Sequence, residues 1–507
     1  MTQFSTIPEL LQAGEASRPA IRATEGRPPL TYAGLRDLTE RTVGTLNRLG
    51  IGRGDRVAIV LPNGPEMAAS FVAIAAGATT APLNPAYRDE EFEFYLTDLR
   101  AKALVIAQGM ESPARDVAKR LGVPVLELVP GAEAGNFTLS GTTGRDRAER
   151  PGMAEAEDVA LVLHTSGTTA RPKIVPLSHT NVTASARHIR DTLALTVEDA
   201  CLNVMPLFHI HGLMAATLAS LAAGGAVCCT PGFNALHFFR WLDAERPSWY
   251  TAVPTMHQAI LARAPRNAEI IARTKLRFLR SSSASLPAQV MRDLEGTFSA
   301  PVIEAYGMTE AAHQMASNPL PPRPRKPGYV GVAAGPEIAI MDEAGNILPQ
   351  GAIGEVVIRG PNVTKGYEAN PEANAKAFTN GWFRTGDQGM LDAEGYLQLT
   401  GRLKELIKRG GEQVSPLEVD GILSEHPAVA QALTFAIPHP MLGEEVGAAI
   451  VLREGMEATE REIRDFVAKH LADFKVPRKI VFLQEIPKGA TGKLQRIGLA
   501  EKLGITA

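Results

Sequence analysis

The chain has 507 residues, 45% hydrophobic and 21% charged, with a formal net charge of -3. At about 150 residues per domain, that length implies roughly three domains or subdomains and a large core needing no covalent staples. The apolar fraction excludes a disordered chain, the lack of a basic excess excludes a dedicated nucleic-acid binder, and the three cysteines (Cys201, Cys228, Cys229) exclude a disulfide framework and fit a reducing compartment.

Met1-Thr-Gln-Phe-Ser5 lacks the basic stretch and apolar run of a secretion signal. Gly504-Ile-Thr-Ala507 lacks a receptor-read tripeptide. Short apolar runs then alternate with helical patterns. Residues 56–61, 103–107 and 123–129 read as buried strands, with a helix at 64–75 and another before 123. That alternation implies βαβ units and mostly parallel sheets. Residues 131–158 are polar and aperiodic, which reads as a loop. A second α/β series follows, with strands at 159–164, 201–205, 249–253, 276–280 and 302–305, and helices near 181–195 and 213–223. The longest apolar runs, 67–82 and 213–229, are Ala/Gly-rich and weaker than the roughly 20 apolar residues of a membrane span. Each reads as a buried helix plus a buried strand. From 335 the texture changes. Residues 337–341 and 354–359 alternate beside Gly-rich turns, as in a small antiparallel sheet or barrel. From 401 a separate small α/β pattern begins. The expectation is a soluble cytoplasmic protein.

Four motifs carry chemistry. Thr165-Ser-Gly-Thr-Thr-Ala-Arg-Pro-Lys173 follows a strand; its small residues let backbone N–H groups approach a phosphate, and Lys173 adds a point charge. It is not the P-loop pattern, because the second Gly and the Lys-Ser/Thr pair are missing. Tyr306-Gly-Met-Thr-Glu310 places a Glu that could hold Mg²⁺ beside a Thr that could meet a phosphate oxygen. Trp382-Phe-Arg-Thr-Gly-Asp387 with Gly401-Arg-Leu-Lys404 offers an Asp for two sugar hydroxyls and an Arg to support it. Pro487-Lys-Gly-Ala-Thr-Gly-Lys493 sets a Lys on a Gly-flanked loop. Taken singly, these also fit a polar loop, a helix cap, an Asx turn with a surface ion pair, and a solvated Lys.

Together, in this order, they make the chain resemble the acyl-adenylate-forming superfamily of acyl-CoA ligases, luciferases and peptide-synthetase adenylation domains. The resemblance implies an α/β fold: a large N-terminal domain, 1–401, of two doubly wound subdomains plus a distorted β-barrel, and a small mobile α+β domain, 402–507. It implies ATP, Mg²⁺ and coenzyme A as small-molecule partners, without nucleic acid or membrane; the oligomeric state stays open. It assigns Thr165, Ser166, Gly167, Thr168, Thr169 and Lys173 to the β- and γ-phosphates, Thr309 to the α-phosphate and Glu310 to Mg²⁺. Tyr306 is matched to the aromatic over adenine, and Ser283, Ala284 and Ser285 to the adenine-side segment. Asp387 and Arg402 match the ribose clamp, Lys404 the hinge and Lys493 the adenylation lysine. Gly410 and Gly411 match the segment lining the thiol tunnel after the domain turns.

The acyl pocket departs from the apolar lining of the 4-coumarate ligase-like branch. Pro206-Leu-Phe-His209-Ile-His211 keeps the gate His209 but adds His211 where an aromatic is usual. Ser282 stands where Gly usually makes room, and His313 where small or apolar residues are usual. Buried polar groups need partners, so such a pocket suits a short acid with a second carboxylate. The string His313-Gln-Met-Ala-Ser-Asn-Pro-Leu-Pro-Pro322, with Lys326-Pro-Gly, is similar to the oxalate–CoA ligase branch. The resemblance implies oxalate + ATP + CoA giving oxalyl-CoA + AMP + pyrophosphate. The rivals are another short-chain or dicarboxylate ligase (malonate, for example) and a 4-coumarate or fatty-acid ligase-like enzyme. A luciferase would want a large aromatic pocket, an adenylation module a carrier domain, and a non-catalytic sensor would have lost Lys493 or Glu310.

Overall fold

The computed structural model describes residues 4–24, 26–144, 147–165, 172–489 and 492–505. Four sheets organise them. A seven-stranded sheet runs Phe137–Ser140, Val125–Pro130, Ala103–Ala107, Arg56–Val60, Thr79–Pro82, Val159–Thr165 and Lys173–Ser178. Its inner neighbours pair in parallel and its two outer pairs are antiparallel. A nine-stranded sheet has a parallel centre, Val302–Met308, Phe278–Ser281, Trp249–Ala252, Ala200–Asn203, Ala226–Cys229 and Pro19–Ala23. Near-continuous burial of those strands explains their apolar runs without alternation.

Helix Pro65–Ala75 buries ten of its eleven residues and packs where the cores of both large sheets merge. It starts on Pro65, whose fixed φ suits the first helical turn. Two runs depart from expectation. The stretch read as a loop contains the strand Phe137–Ser140, an edge pairing too short to show in the sequence. The helix read at 213–223 begins at His211 and winds as a π-helix through Leu218, then as an α-helix over Ala219–Ala222. Such wide turns concentrate at functional sites.

The third sheet is antiparallel: Glu337–Met341, Gly354–Arg359, Trp382–Leu391 and Phe378–Thr379, with Leu397–Arg402 paired to Trp382–Leu391. The fourth joins Glu412–Val414, Ile407–Arg409, Gly443–Leu452, Val429–His439 and Lys479–Phe482 around its own core of Ile407, Val419, Leu423, Val446 and Ile463. Among the described residues no helix is long and apolar enough to cross a membrane.

Candidate active site

The carboxyl ends of the parallel strands supply most of the site, as the geometry of open α/β sheets favours. Strand Val302–Met308 runs further than its sequence suggested, so Tyr306 lies within it. A short 3₁₀ turn, Thr309–Ala311, follows, and the chain doubles back as His313–Ser317. That hairpin requires glycine at 307, where a Cβ would lie 1.7 Å from the His313 carbonyl oxygen.

Asp387 sits in strand Trp382–Leu391, directly across from Arg402. The Arg402 Nε lies 3.0 Å from Asp387 Oδ1, and the Tyr306 hydroxyl donates to Asp387 Oδ2. Asp387 is 5% exposed. Burial raises its pKa, against the pull of Arg402 and the Tyr306 hydrogen bond.

Glu310 is buried and accepts a 2.8 Å hydrogen bond from the Tyr367 hydroxyl. Burial raises its pKa as well, opposed by Arg402 and Lys173 among others. The Lys173 Nζ stands 4.4 Å above the Tyr367 ring. Thr165 and Lys173 are register partners at the mouth of the phosphate loop. Ser166, Gly167, Thr168 and Thr169 lie outside the described residues.

Lys493 arrives from the C-terminal domain. Residues 488 and 494 form an isolated antiparallel bridge, the Gly489 N–H donates to the Lys493 carbonyl at 2.8 Å, and the Thr255 hydroxyl donates to the Gly492 carbonyl at 2.8 Å. Burial brings the Lys493 ammonium down to about 8, helped by Arg402 and opposed by Asp387 and Glu310. Its charge also reaches His209, whose pKa burial has already pushed to about 3. Lys404 is exposed in the turn after Arg402. Gly410 and Gly411 form the exposed tip of the hairpin Ile407–Arg409 to Glu412–Val414; no site contact joins them in this pose.

His211, Ser282 and His313 are all buried, and they meet a group the sequence reading did not single out. The His211 Nδ1 is 3.0 Å from the Ser283 hydroxyl and its Nε2 is 2.6 Å from the Thr251 hydroxyl. The Arg280 Nη1 lies 3.4 Å from the same Nε2. His313 Nε2 and the Ser282 hydroxyl have no hydrogen-bond partner. Gly212 allows the π-helix to start here, since a Cβ would lie 2.4 Å from the Pro206 carbonyl oxygen. Ser283, Ala312 and His313 hold φ of +77°, +46° and +96°. Each such non-glycine residue costs about 1–3 kcal/mol, strain that gathers at working sites. Ser283 therefore faces His211; Ala284 and Ser285 continue the segment, which Glu304 anchors by accepting from the Leu286 N–H at 2.9 Å. Arg280, Thr251, Tyr367 and Glu304 escaped the sequence reading. The one available signal was a charged residue within the central strand Phe278–Ser281.

A crevice of about 450 Å³ opens between the two large sheets, lined by Asn63, Asn84, Pro85, Pro206, Phe208 and Gly232 among others. Phe208 precedes His209 in the chain.

Residues 12–368 match the sequence profile of the AMP-binding enzymes, and residues 418–493 that of the AMP-binding enzyme C-terminal domain. The chain is 46% identical over 501 residues to an oxalate–CoA ligase of Arabidopsis thaliana, covering 97% of each chain. It is 43% identical over 475 residues to an oxalate–CoA ligase of Saccharomyces cerevisiae, covering 89% of this chain and 87% of that one. Among solved structures, ATP-bound MatB from Rhodopseudomonas palustris superposes with a TM-score of 0.87 at 31% identity, covering 99% of each chain. An aspartate–arginine pair, a buried glutamate and an inserted lysine, assembled from two domains that both match, lead to one conclusion: the chain belongs to the AMP-binding enzyme family, as an AMP-forming acyl-CoA ligase.

Proposed function

We propose that this protein is an ATP-dependent oxalate–CoA ligase, converting oxalate, ATP and CoA to oxalyl-CoA, AMP and pyrophosphate through an acyl-adenylate. The observation that carries the reading is that His211, Ser282 and His313 are polar and all within 1% of full burial, which supports an acyl pocket closed to a hydrocarbon tail. The two oxalate–CoA ligases, at 46% and 43% identity, support the same substrate.

The chemistry follows from the donor set. A carboxylate oxygen is a poor leaving group; attack on the ATP α-phosphorus makes it part of AMP and expels pyrophosphate. Asp387 and Arg402 hold the ribose, Tyr306 and the 283–285 segment flank adenine, and Thr165 through Thr169 with Lys173 hold the outer phosphates. Thr309 and Lys493 meet the oxygens of the reacting phosphate, where charge gathers as two anions approach. The buried carboxylate of Glu310 suits a hard cation. Among the described residues no group of three or more potential ligands surrounds it, so phosphates and water would complete the shell of a Mg²⁺ ion. When bound, that ion screens phosphate charge.

The thiol must then reach the same carbon. The crevice lined by Phe208, the chain neighbour of His209, is the path that suits it. A rotation at Lys404 withdraws Lys493 and brings Gly410 and Gly411 in, so one site serves both half-reactions. We place the boundary between 1–401 and 402–507 on that hinge. Three buried, unpaired cysteines fit the reducing cytoplasm.

The test is pyrophosphate release with acids from C2 to C18, with and without CoA. Oxalate alone among them should support rapid, CoA-dependent turnover. Activity with cinnamates or fatty acids and none with oxalate would refute the substrate while leaving the ligase class intact.

A further inference from the structure

Arg280 stands fully buried in the central strand Phe278–Ser281, and among the described residues no carboxylate pairs with it. Its contacts are the Thr251 hydroxyl at 3.5 Å, His211 Nε2 at 3.4 Å and Gln314 Oε1 at 3.3 Å, all neutral and all long. Its Nε has no partner. Three other inward arginines are compensated: Arg496 by Glu405 and Asp420, Arg384 by Glu355, Arg53 by Asp158. Burial brings the Arg280 guanidinium down only to about 10, so it remains charged at neutral pH. A buried ion without its partner is strongly destabilising. Departures of this kind mark places where function overrides stability.

The neighbouring imidazoles do not supply the missing charge balance. An arginine has only donors, so the nitrogen it faces, His211 Nε2, is the acceptor, and the ring proton sits on Nδ1 toward Ser283. Burial and the Arg280 charge hold both His211 and His313 well below the ordinary histidine range, so both are neutral. Arg280 is therefore the fixed positive charge beneath the acyl pocket. Its own Nε, the Ser281 and Ser282 hydroxyls and His313 Nε2 are all buried without a hydrogen-bond partner. An ionised carboxylate is acceptor-only and complements such a set.

We propose that Arg280 is the specificity-determining residue for the far carboxylate of the substrate. Its buried, unpaired guanidinium is the counter-charge that selects a dianionic acid over a neutral-ended one, while Ser282 and His313 orient that carboxylate. The inference rests on the reading of the substrate as a small diacid and names the residue that reads its second charge.

Oxamate, which has the shape of oxalate with one carboxylate replaced by an amide, separates charge reading from a structural role. Wild-type enzyme and Arg280→Met are compared by the KM and kcat for oxalate and the inhibition constant for oxamate. The expected result is a rise of at least 100-fold in oxalate KM, a kcat within fivefold, and an oxamate inhibition constant within threefold. Arg280→Lys should recover at least tenfold of the lost oxalate affinity. Equal losses for both acids, or an unchanged oxalate KM, would overturn the proposal. If Arg280→Met does not fold, judged by thermal unfolding and ATP binding, Arg280→Gln replaces it under the same criteria. Wild-type enzyme that uses malonate instead of oxalate would overturn the oxalate reading alone. The Arg280 comparison would then be made with malonate and its monoamide and decided the same way.

Discussion

The imidazole rings of His211 and His313 stack with centroids 4.9 Å apart and planes 24° from parallel. One ring opens the π-helix His211–Leu218 and the other opens the strand His313–Ser317. Together they give the proposed acyl pocket a neutral, buried, polar end. The stack couples pocket length to pocket polarity, since shortening either side chain changes both.

Opening the pocket should therefore exchange one substrate class for another. His313→Ala removes a hydrogen bond to a charged acid, an interaction worth about 1.5–3 kcal/mol. Oxalate kcat/KM should fall by roughly 10- to 150-fold, at 1.4 kcal/mol per decade. The double variant Ser282→Gly/His313→Ala should gain turnover with four-carbon and larger acids. Pyrophosphate release across the acid series checks both, and an unchanged acid profile counts against the pocket assignment.

Lys493 should matter for one half-reaction only. Two unit charges 4 Å apart interact by about 4 kcal/mol at an effective dielectric near 20. That equals roughly three decades of rate if felt only in the transition state. Lys493→Ala should lose adenylation on that scale and keep thioester formation from preformed oxalyl-adenylate within a fewfold. The free-enzyme ammonium loses its proton near pH 8. Adenylation kcat/KM should then decline tenfold per unit above that pH, a limb absent in Lys493→Arg. Equal damage to both half-reactions would contradict the role.

The hinge gives a reciprocal prediction. Lys404 is exposed in a turn whose neighbours are held by the Leu403 N–H to Gly386 carbonyl bond at 3.0 Å and the Glu405 N–H to Arg402 carbonyl bond at 2.8 Å. Proline at 404 fixes φ and removes a rotation. Lys404→Pro should keep adenylation within about threefold and lower overall CoA-dependent turnover by more than 100-fold. Pyrophosphate exchange and thioester formation measured on the same preparation decide it.

Glu304 should set a pH dependence of stability. Its carboxyl is 3% exposed, one oxygen accepts from the Leu286 N–H and the other has no partner. Burial pushes its pKa up from 4.5 to about 8. Between those values the folded state holds a proton that the unfolded state has released. Stability from this group is thus full below about 4.5, falls as pH rises, and levels off above about 8. The slope is about 1.4 kcal/mol per pH unit for one proton. Glu304→Gln should abolish that component in denaturant titrations from pH 5.5 to 8.5. A wild-type slope retained in the variant would assign it elsewhere.

Much of the site was legible because its signals are local. The phosphate loop, the 306–310 turn, the aspartate and the lysine loop each carry their chemistry within a few residues, and their order along the chain is itself informative. Asp387 stood out by its motif but not as a strand residue, because its pairing with Arg402 depends on sheet register. Arg280 was passed over because a single arginine at the end of an apolar run looks like a strand terminus.

The sequence by itself determined the α/β class and the two-domain plan, since these follow from short patterns and hydrophobic period; it singled out candidate ATP residues only through a family resemblance. Only the tertiary structure decided that Arg280 joins His211 and His313 in one buried cluster. They lie on segments far apart in the chain, and burial alone turns an ordinary cation into an unpaired charge. Protonation follows the same rule: a glutamate near 8 and a lysine near 8 are products of desolvation and neighbouring charge, which no residue carries in its own identity.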